Sequence, residues 1–231
     1  MNELPSTRTP APAAVLWDFD GTLVDTEPVW IRQEHLLTEE LGGRWSEELA
    51  HENIGNSLIG TGRSILRASG RDDLTAEQVT ELLVARVTEE LRTAEIEWRP
   101  GVVDLIGELA EAGIPCALVS ASFRVILTTV LDRLGANPFS AVVAGDEVTH
   151  GKPHPEPYLS ACERLGVRPE DCLVLEDSIT GADSGNAAGC LVAVVPNVVV
   201  PPPAERRVHL DTLAGVGVAR LRELMAGEMA R

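Results

Sequence analysis

The chain has 231 residues, 44% of them hydrophobic and only 3% aromatic, so a core of Val, Leu, Ile and Ala is expected within one or two domains. A formal net charge of −17 argues against nucleic acid as a partner, because phosphate backbones are bound through Lys and Arg. No apolar stretch reaches the roughly 18 residues needed to span a bilayer. The four cysteines form no C-x-x-C pair, which points to a reducing, cytoplasmic setting without disulfides or zinc.

Residues 1–12 are polar and Pro-rich without a basic start, and read as a disordered tail rather than a signal peptide. A short apolar run, 13–17, has the length of a buried strand and ends in Asp18-Phe19-Asp20-Gly21-Thr22. The segment 28–98 then carries helical spacings, among them Leu82, Leu83, Val87 and Leu91 behind a Thr75/Gln78 start signal. It shows no strand-like alternation and reads as a small all-helical module inserted after the first strand.

From Pro100 onward helices and apolar strands alternate. Helices are expected over 102–112, 123–134, up to 165, from near Ser178, and over 216–225. Strands are expected at 116–119, 141–144, 172–175 and 191–195, with a short edge strand near Val208. This pattern predicts an α/β fold: a Rossmann-like parallel sheet covered by helices on both faces. The expected division is 13–27 with 99–231 as the core domain and 28–98 as the insert.

Ligands of open parallel sheets bind beyond the carboxyl ends of the strands, and those ends carry Asp18, Ser120, Asp146 and Glu176-Asp177. Asp18 and Asp20 are two apart in extended chain, so their side chains share a side. One carboxylate can attack phosphorus, and the other can protonate the leaving oxygen and then activate water. A bare D-x-D-G is also an ordinary turn after a strand. Asp18 and Asp177, with a carbonyl near Asp20, would suit Mg²⁺, which takes hard oxygen ligands; Glu-Asp is equally a helix-start charge pair. Ser120 and the amides of Ala121 and Ser122 would meet a phosphate at a helix start. Lys152, the only lysine in the chain, would neutralise the transferring group.

Taken together, D-F-D-G-T-L-V-D-T (Asp18–Thr26), S-A-S (Ser120–Ser122), G-K-P-H-P-E-P-Y (Gly151–Tyr158) and E-D-S (Glu176–Ser178) resemble the four motifs of the haloacid dehalogenase superfamily. The match runs over about 13–196, and the insert resembles that superfamily's cap domain. Within it the chain is similar to the beta-phosphoglucomutase-like branch, which includes hexitol-phosphate and 2-deoxyglucose-6-phosphate phosphatases.

The resemblance implies a Mg²⁺-dependent phosphatase acting on a small phosphorylated metabolite, a sugar or polyol phosphate, through an aspartyl-phosphate. Asp18 would be nucleophile and metal ligand. Asp20 would be general acid and base, with its carbonyl on the metal. Asp177 would be a ligand, and Glu176 one directly or through water. Ser120, Ala121 and Lys152 would hold phosphate. Trp30, Asn56 and Ser57 are candidate substrate contacts. No obligate protein partner, nucleic acid or membrane is implied. The mutases of this branch carry a His where Trp30 stands and a cap Lys where Ile54 precedes Gly55, and 28–98 has no Lys at all. A phosphosugar mutase and a non-catalytic phospho-accepting regulator are the competing readings. The five histidines share no metal spacing and read as surface or packing residues.

Overall fold

All but the last strand of this chain are short, almost wholly apolar runs, which only a sheet covered on both faces can bury. In a computed structural model describing residues 11–53, 57–134 and 137–229, six strands form one all-parallel sheet. They are β1 (Ala14–Trp17), β2 (Cys116–Val119), β3 (Ala141–Val143), β4 (Cys172–Glu176), β5 (Leu191–Val194) and β6 (Arg207–His209), in the order β3-β2-β1-β4-β5-β6. β1 is central, and the order reverses on either side of it. Such a switch point opens a crevice at the strands' carboxyl ends.

Alternation along each strand divides the core into two clusters. Val15, Trp17, Leu118, Leu173, Leu175 and Ala193 face one side, and Leu16, Val119, Val174, Val192 and Val194 the other. The first side is covered by α5 (Val102–Glu111), α6 (Arg124–Leu131) and α9 (Val218–Met229). The second is covered by α7 (Glu156–Leu165) and α8 (Ile179–Ala187), through Tyr158, Ala161, Cys162 and Ala182. All four cysteines are buried free thiols.

Four helices lie between β1 and α5: α1 (Glu27–Glu40), α2 (Glu47–Asn53), α3 (Leu58–Ser69) and α4 (Ala76–Leu91). The chain enters and leaves this insert through two strands held side by side. Val24 bridges Trp98, Asp25 N–H donates to Glu97 O at 2.9 Å, and Arg99 N–H donates to Leu23 O at 3.1 Å. The Thr75/Gln78 start signal forms a reciprocal capping box on α4. Val79, Leu83, Val87 and Leu91 of α4 join the cluster that contains Ile126, Leu127 and Val130 of α6, so the insert rests directly on the sheet's helical layer.

Several expected boundaries shift. The helix read over 123–134 ends as α helix at Leu131 and closes in a 3-10 turn, Asp132–Leu134. The last helix starts two residues later than expected and runs four residues past the expected end, with Val218, Leu221 and Met225 as its buried stripe. Residues 1–10 of the expected tail lie outside the described residues, whereas Pro12 is buried and Ala11 packs on the core. No described helix is long and apolar enough to cross a membrane.

Candidate active site

Parallel register brings the strand ends level. Trp17 pairs with Leu118 on one side and Leu175 on the other, so the next residues, Asp18, Val119 and Glu176, emerge together. Asp18 N–H donates to Leu175 O at 3.0 Å, which continues the ladder one step and aims the side chain out of the sheet edge. Asp18, Glu176 and Asp177 thereby present carboxylate oxygens within 4.8 Å of one another.

The ammonium of Lys152 sits among them. It donates to Asp18 Oδ1 at 2.7 Å, Glu176 Oε1 at 2.6 Å and the carbonyl of Val119 at 3.0 Å. Three bonds use all three of its protons. Its side chain is only 5% exposed, so nothing screens these charges. The Tyr158 hydroxyl donates to the same Glu176 oxygen at 2.9 Å, and the Tyr158 ring lies beneath the ammonium, 5.0 Å from its centroid. The other Glu176 oxygen accepts from the amides of Asp177 and Ser178 and from the Ser178 hydroxyl, at 3.1, 3.1 and 3.0 Å. Both oxygens of Glu176 are thus already engaged, and its main task in this arrangement is to position Lys152.

Asp20 is held apart from this group. Oδ1 accepts from Thr26 Oγ1 at 2.5 Å and Trp30 Nε1 at 3.1 Å; Oδ2 accepts from Ser122 Oγ at 2.7 Å and Ser120 Oγ at 3.3 Å. Two strand ends and the first turn of α1 therefore converge on one carboxylate. Gly21 makes the turn that follows Asp20 at φ +83°, where a Cβ would sit 2.2 Å from Asp177 Oδ2. Only glycine meets both demands.

The expected site residues divide accordingly. Asp18, Asp20, Ala121, Lys152, Asp177 and Trp30 line one cavity of about 850 Å³ between the sheet edge and α1–α3. Ser120 is buried at its rim and accepts the Ser122 amide at 2.9 Å, so that amide is occupied. Trp30 reaches Asp20 rather than standing apart as a substrate contact alone. Ser57 is exposed and caps α3 through the Gly60 amide at 3.1 Å, outside the cavity lining. Asn56 lies outside the described residues. Asp146 turns away from the shared edge and accepts the Arg124 amide at 2.8 Å. His150 and His154 lie on the surface and meet there, with ring centroids 4.6 Å apart beside Glu156, while His35 is partly buried and lines the cavity.

Tyr158 has no role in the sequence reading, and Ser122 and Thr26 act here through hydroxyls that the reading did not assign. Tyr158 carried a signal, as the only tyrosine of the chain and six residues beyond its only lysine. The hydroxyls of Ser122 and Thr26 carried none, because nothing local marks a Ser or Thr as the partner of a distant carboxylate.

A model of the haloacid dehalogenase-like hydrolases matches residues 12–189. The chain belongs to that family. Hexitol phosphatase B of Escherichia coli (strain K12) is 30% identical over 94% of this chain and 96% of its own length. A phosphoglycolate phosphatase of Nitrosospira multiformis is 34% identical over 79% of this chain and 82% of its own. Among solved structures, CbbY from Rhodobacter sphaeroides in complex with xylulose-(1,5)bisphosphate superposes with a TM-score of 0.79 at 28% identity, covering 90% of this chain and 98% of that one. Among such phosphatases, this hydrolase is a phosphoric monoester hydrolase.

The electrostatics of the hydrolase site leave room for a divalent cation. Against the carboxylates of Asp18, Glu176 and Asp177 stands one ammonium, which leaves two negative charges uncompensated in a buried place. Burial, followed by the charge of Glu176, pushes the Asp18 carboxyl up to about 7 despite its ion pair with Lys152. Burial and then Asp18 push Asp177 up as well. Asp18 Oδ2 is buried and finds no hydrogen-bond partner among the described residues. Hard oxygen donors, excess negative charge and an orphaned carboxylate oxygen fit a divalent metal, with Asp18 and Asp177 as the side chains to hold it.

Two predictions follow from this geometry. Gly21→Ala forces its new methyl group into Asp177, so phosphate release falls by more than about a hundredfold, while circular dichroism still reports a folded chain. Glu34 lines the cavity, and burial followed by the charge of Glu27 raises its pKa from 4.5 to about 7. A carboxyl whose folded value is raised stabilises the fold at low pH and loses that contribution between pH 4.5 and 7. Glu34→Gln therefore melts above the wild type at pH 8, with the gap closing towards pH 4.5 in thermal scans.

Proposed function

We propose that this hydrolase removes phosphate from a small sugar or polyol phosphate by way of an aspartyl-phosphate on Asp18, with Mg²⁺ as its metal. The observation that carries the reading is the buried meeting of Asp18, Asp177 and Lys152 at one sheet edge, with a second aspartate, Asp20, beside the same cavity.

In the proposed first step an Asp18 carboxylate oxygen bonds to phosphorus, and the bond from phosphorus to the ester oxygen breaks. Asp20 gives its proton to the departing alkoxide. In the second step Asp20 takes a proton from water, the hydroxide oxygen bonds to phosphorus, and the bond to Asp18 breaks, releasing inorganic phosphate. Lys152 fixes Asp18 through one oxygen and faces the transferring group with positive charge. Asp18, Asp177 and the main-chain carbonyl of Asp20 would hold Mg²⁺, which would supply further charge neutralisation. Ser120 and Ala121 border the phosphate position.

Asp20 accepts four hydrogen bonds and donates none in this arrangement. Before it can act as an acid, some of these contacts must be exchanged. Three of the four donors, Thr26, Ser120 and Ser122, are hydroxyls that can rotate to accept instead.

We also propose that residues 28–98 serve as a cap over the core formed by 13–27 and 99–231. The paired entry and exit strands at Val24 and Trp98 support that division. Names of relatives support the substrate class: hexitol phosphatases act on the phosphates of sugar alcohols, and the insert has no lysine to grip a second phosphate as a mutase would.

Asp18→Asn is expected to leave the melting curve intact and abolish phosphate release from sorbitol 6-phosphate and p-nitrophenyl phosphate. EDTA is expected to stop the wild-type reaction, and added Mg²⁺ to restore it. Turnover by Asp18→Asn, or turnover without metal, refutes the mechanism.

A further inference from the structure

The cavity beyond the reacting residues is walled with carboxylates. Asp25, Glu27, Glu34 and Glu47 all line it, and Lys152 is its only Lys or Arg among the described lining residues. Lys152 has no capacity to serve a second anion, since its three protons go to Asp18, Glu176 and Val119 O. The rest of the wall is largely apolar, including Ile31, Leu58 and Val198. None of the seven arginines of the insert lines the cavity: Arg32 pairs with Glu90, Arg86 with Glu40, Arg71 with Asp73 and Arg92 with Glu89, Arg67 donates to Ser64 Oγ at 3.2 Å, and Arg44 and Arg63 are exposed outside the lining. Arg99 acts on Glu27 from outside the lining. Residues 54–56, outside the described residues, are Ile, Gly and Asn and bring no cation.

Asp18, whose side chain is 9% exposed and keeps one buried oxygen without a hydrogen-bond partner among the described residues, lines the same cavity. A ligand anchored there by its phosphate must lay its organic part along the acidic wall.

We propose that this cavity selects phosphomonoesters whose organic part donates hydrogen bonds and carries no negative charge, and that Glu34 and its neighbours on α1 exclude esters with a second anionic group. Hydroxyls or an ammonium on the organic part find acceptors in Glu27, Glu34 and Glu47. A carboxylate or second phosphate meets like charge in a partly enclosed cleft. The selection rests on the phosphatase reading for the phosphate's position, and it divides the substrates of the relatives: a hexitol phosphate fits, whereas phosphoglycolate and a bisphosphate do not.

The test compares matched pairs on the full chain with Mg²⁺ at pH 8, above the value of about 7 to which burial raises Glu34: glycerol 3-phosphate against 3-phosphoglycerate, and a hexose 6-phosphate against its 1,6-bisphosphate. Glucosamine 6-phosphate probes the ammonium arm. The member without the second anion is expected to have a kcat/KM about tenfold higher, the size of one partly screened like-charge contact. Glu34→Gln narrows this ratio about threefold, and Glu34→Lys narrows it further or inverts it. Equal or reversed preference in the wild type overturns the proposal, as does a ratio that neither Glu34 variant moves. If no ester is hydrolysed, the phosphatase reading falls instead. Calorimetric binding of the same pairs to Asp18→Asn, with and without Glu34→Gln, then decides the selection by the same ratios.

Discussion

Everything at the sheet edge depends on one ammonium group. Lys152 lies buried between Asp18 and Glu176, and removing it would leave both carboxylates, with Asp177 beside them, facing no cation out of contact with water. The arrangement is tolerable because each partner is tied to something else. Val119 O takes the third proton of the lysine. Tyr158 and the Ser178 turn satisfy Glu176, and the β1 ladder fixes the backbone of Asp18. The close approach of α8 belongs to the same construction, since a Cβ at Gly181 would fall 1.6 Å from Glu176 Oε1. The glycine allows the first turn of that helix to lie against a buried carboxylate.

Two environments thus separate carboxylates that are close along the chain. Asp18 is desolvated and crowded by negative charge, which favours its protonated form unless a cation is at hand. Asp20 stands in a shell of hydroxyls and an indole N–H, all donating to it. The division follows from a single glycine turn. Up to Asp18 the chain follows the sheet, and after Gly21 it heads for α1, whose first turn brings Thr26 and Trp30 back to Asp20.

The inserted helices play a second part. They are attached through two adjacent strands yet share an apolar cluster with α6, so they are held over the crevice while leaving a cavity beside it. Their contribution to that cavity is acidic and apolar rather than basic. A net charge of −17 first looks at odds with binding a phosphate ester. Within the cavity the charges are sorted locally, with the lone lysine at the sheet edge and carboxylates along the helical wall.

Strand positions, the parallel sheet and the four polar clusters were legible in the chain itself, because apolar runs of strand length ending in Asp, Ser or Glu-Asp obey periodicities that need no partner. The α4 capping box was equally local, since its two residues are three apart. Helix ends were less legible, as α6 gives way to a 3-10 turn at Asp132 and α9 runs on past its buried residue Met225. Long-range hydrogen bonding was not legible at all. Ser122 and Asp20 are 102 residues apart, and Glu176 reaches Tyr158 across two elements. Nor did the histidine spacing disclose that a tight loop folds His150 back onto His154. The sequence by itself determined which residue types stand at each strand's carboxyl end, because alternation and burial dictate them one strand at a time. Only the tertiary structure decided which of those ends meet, which carboxylate keeps an unpaired oxygen, and which side chains wall the cavity, because these depend on strand order and helix placement, to which no single segment is sensitive.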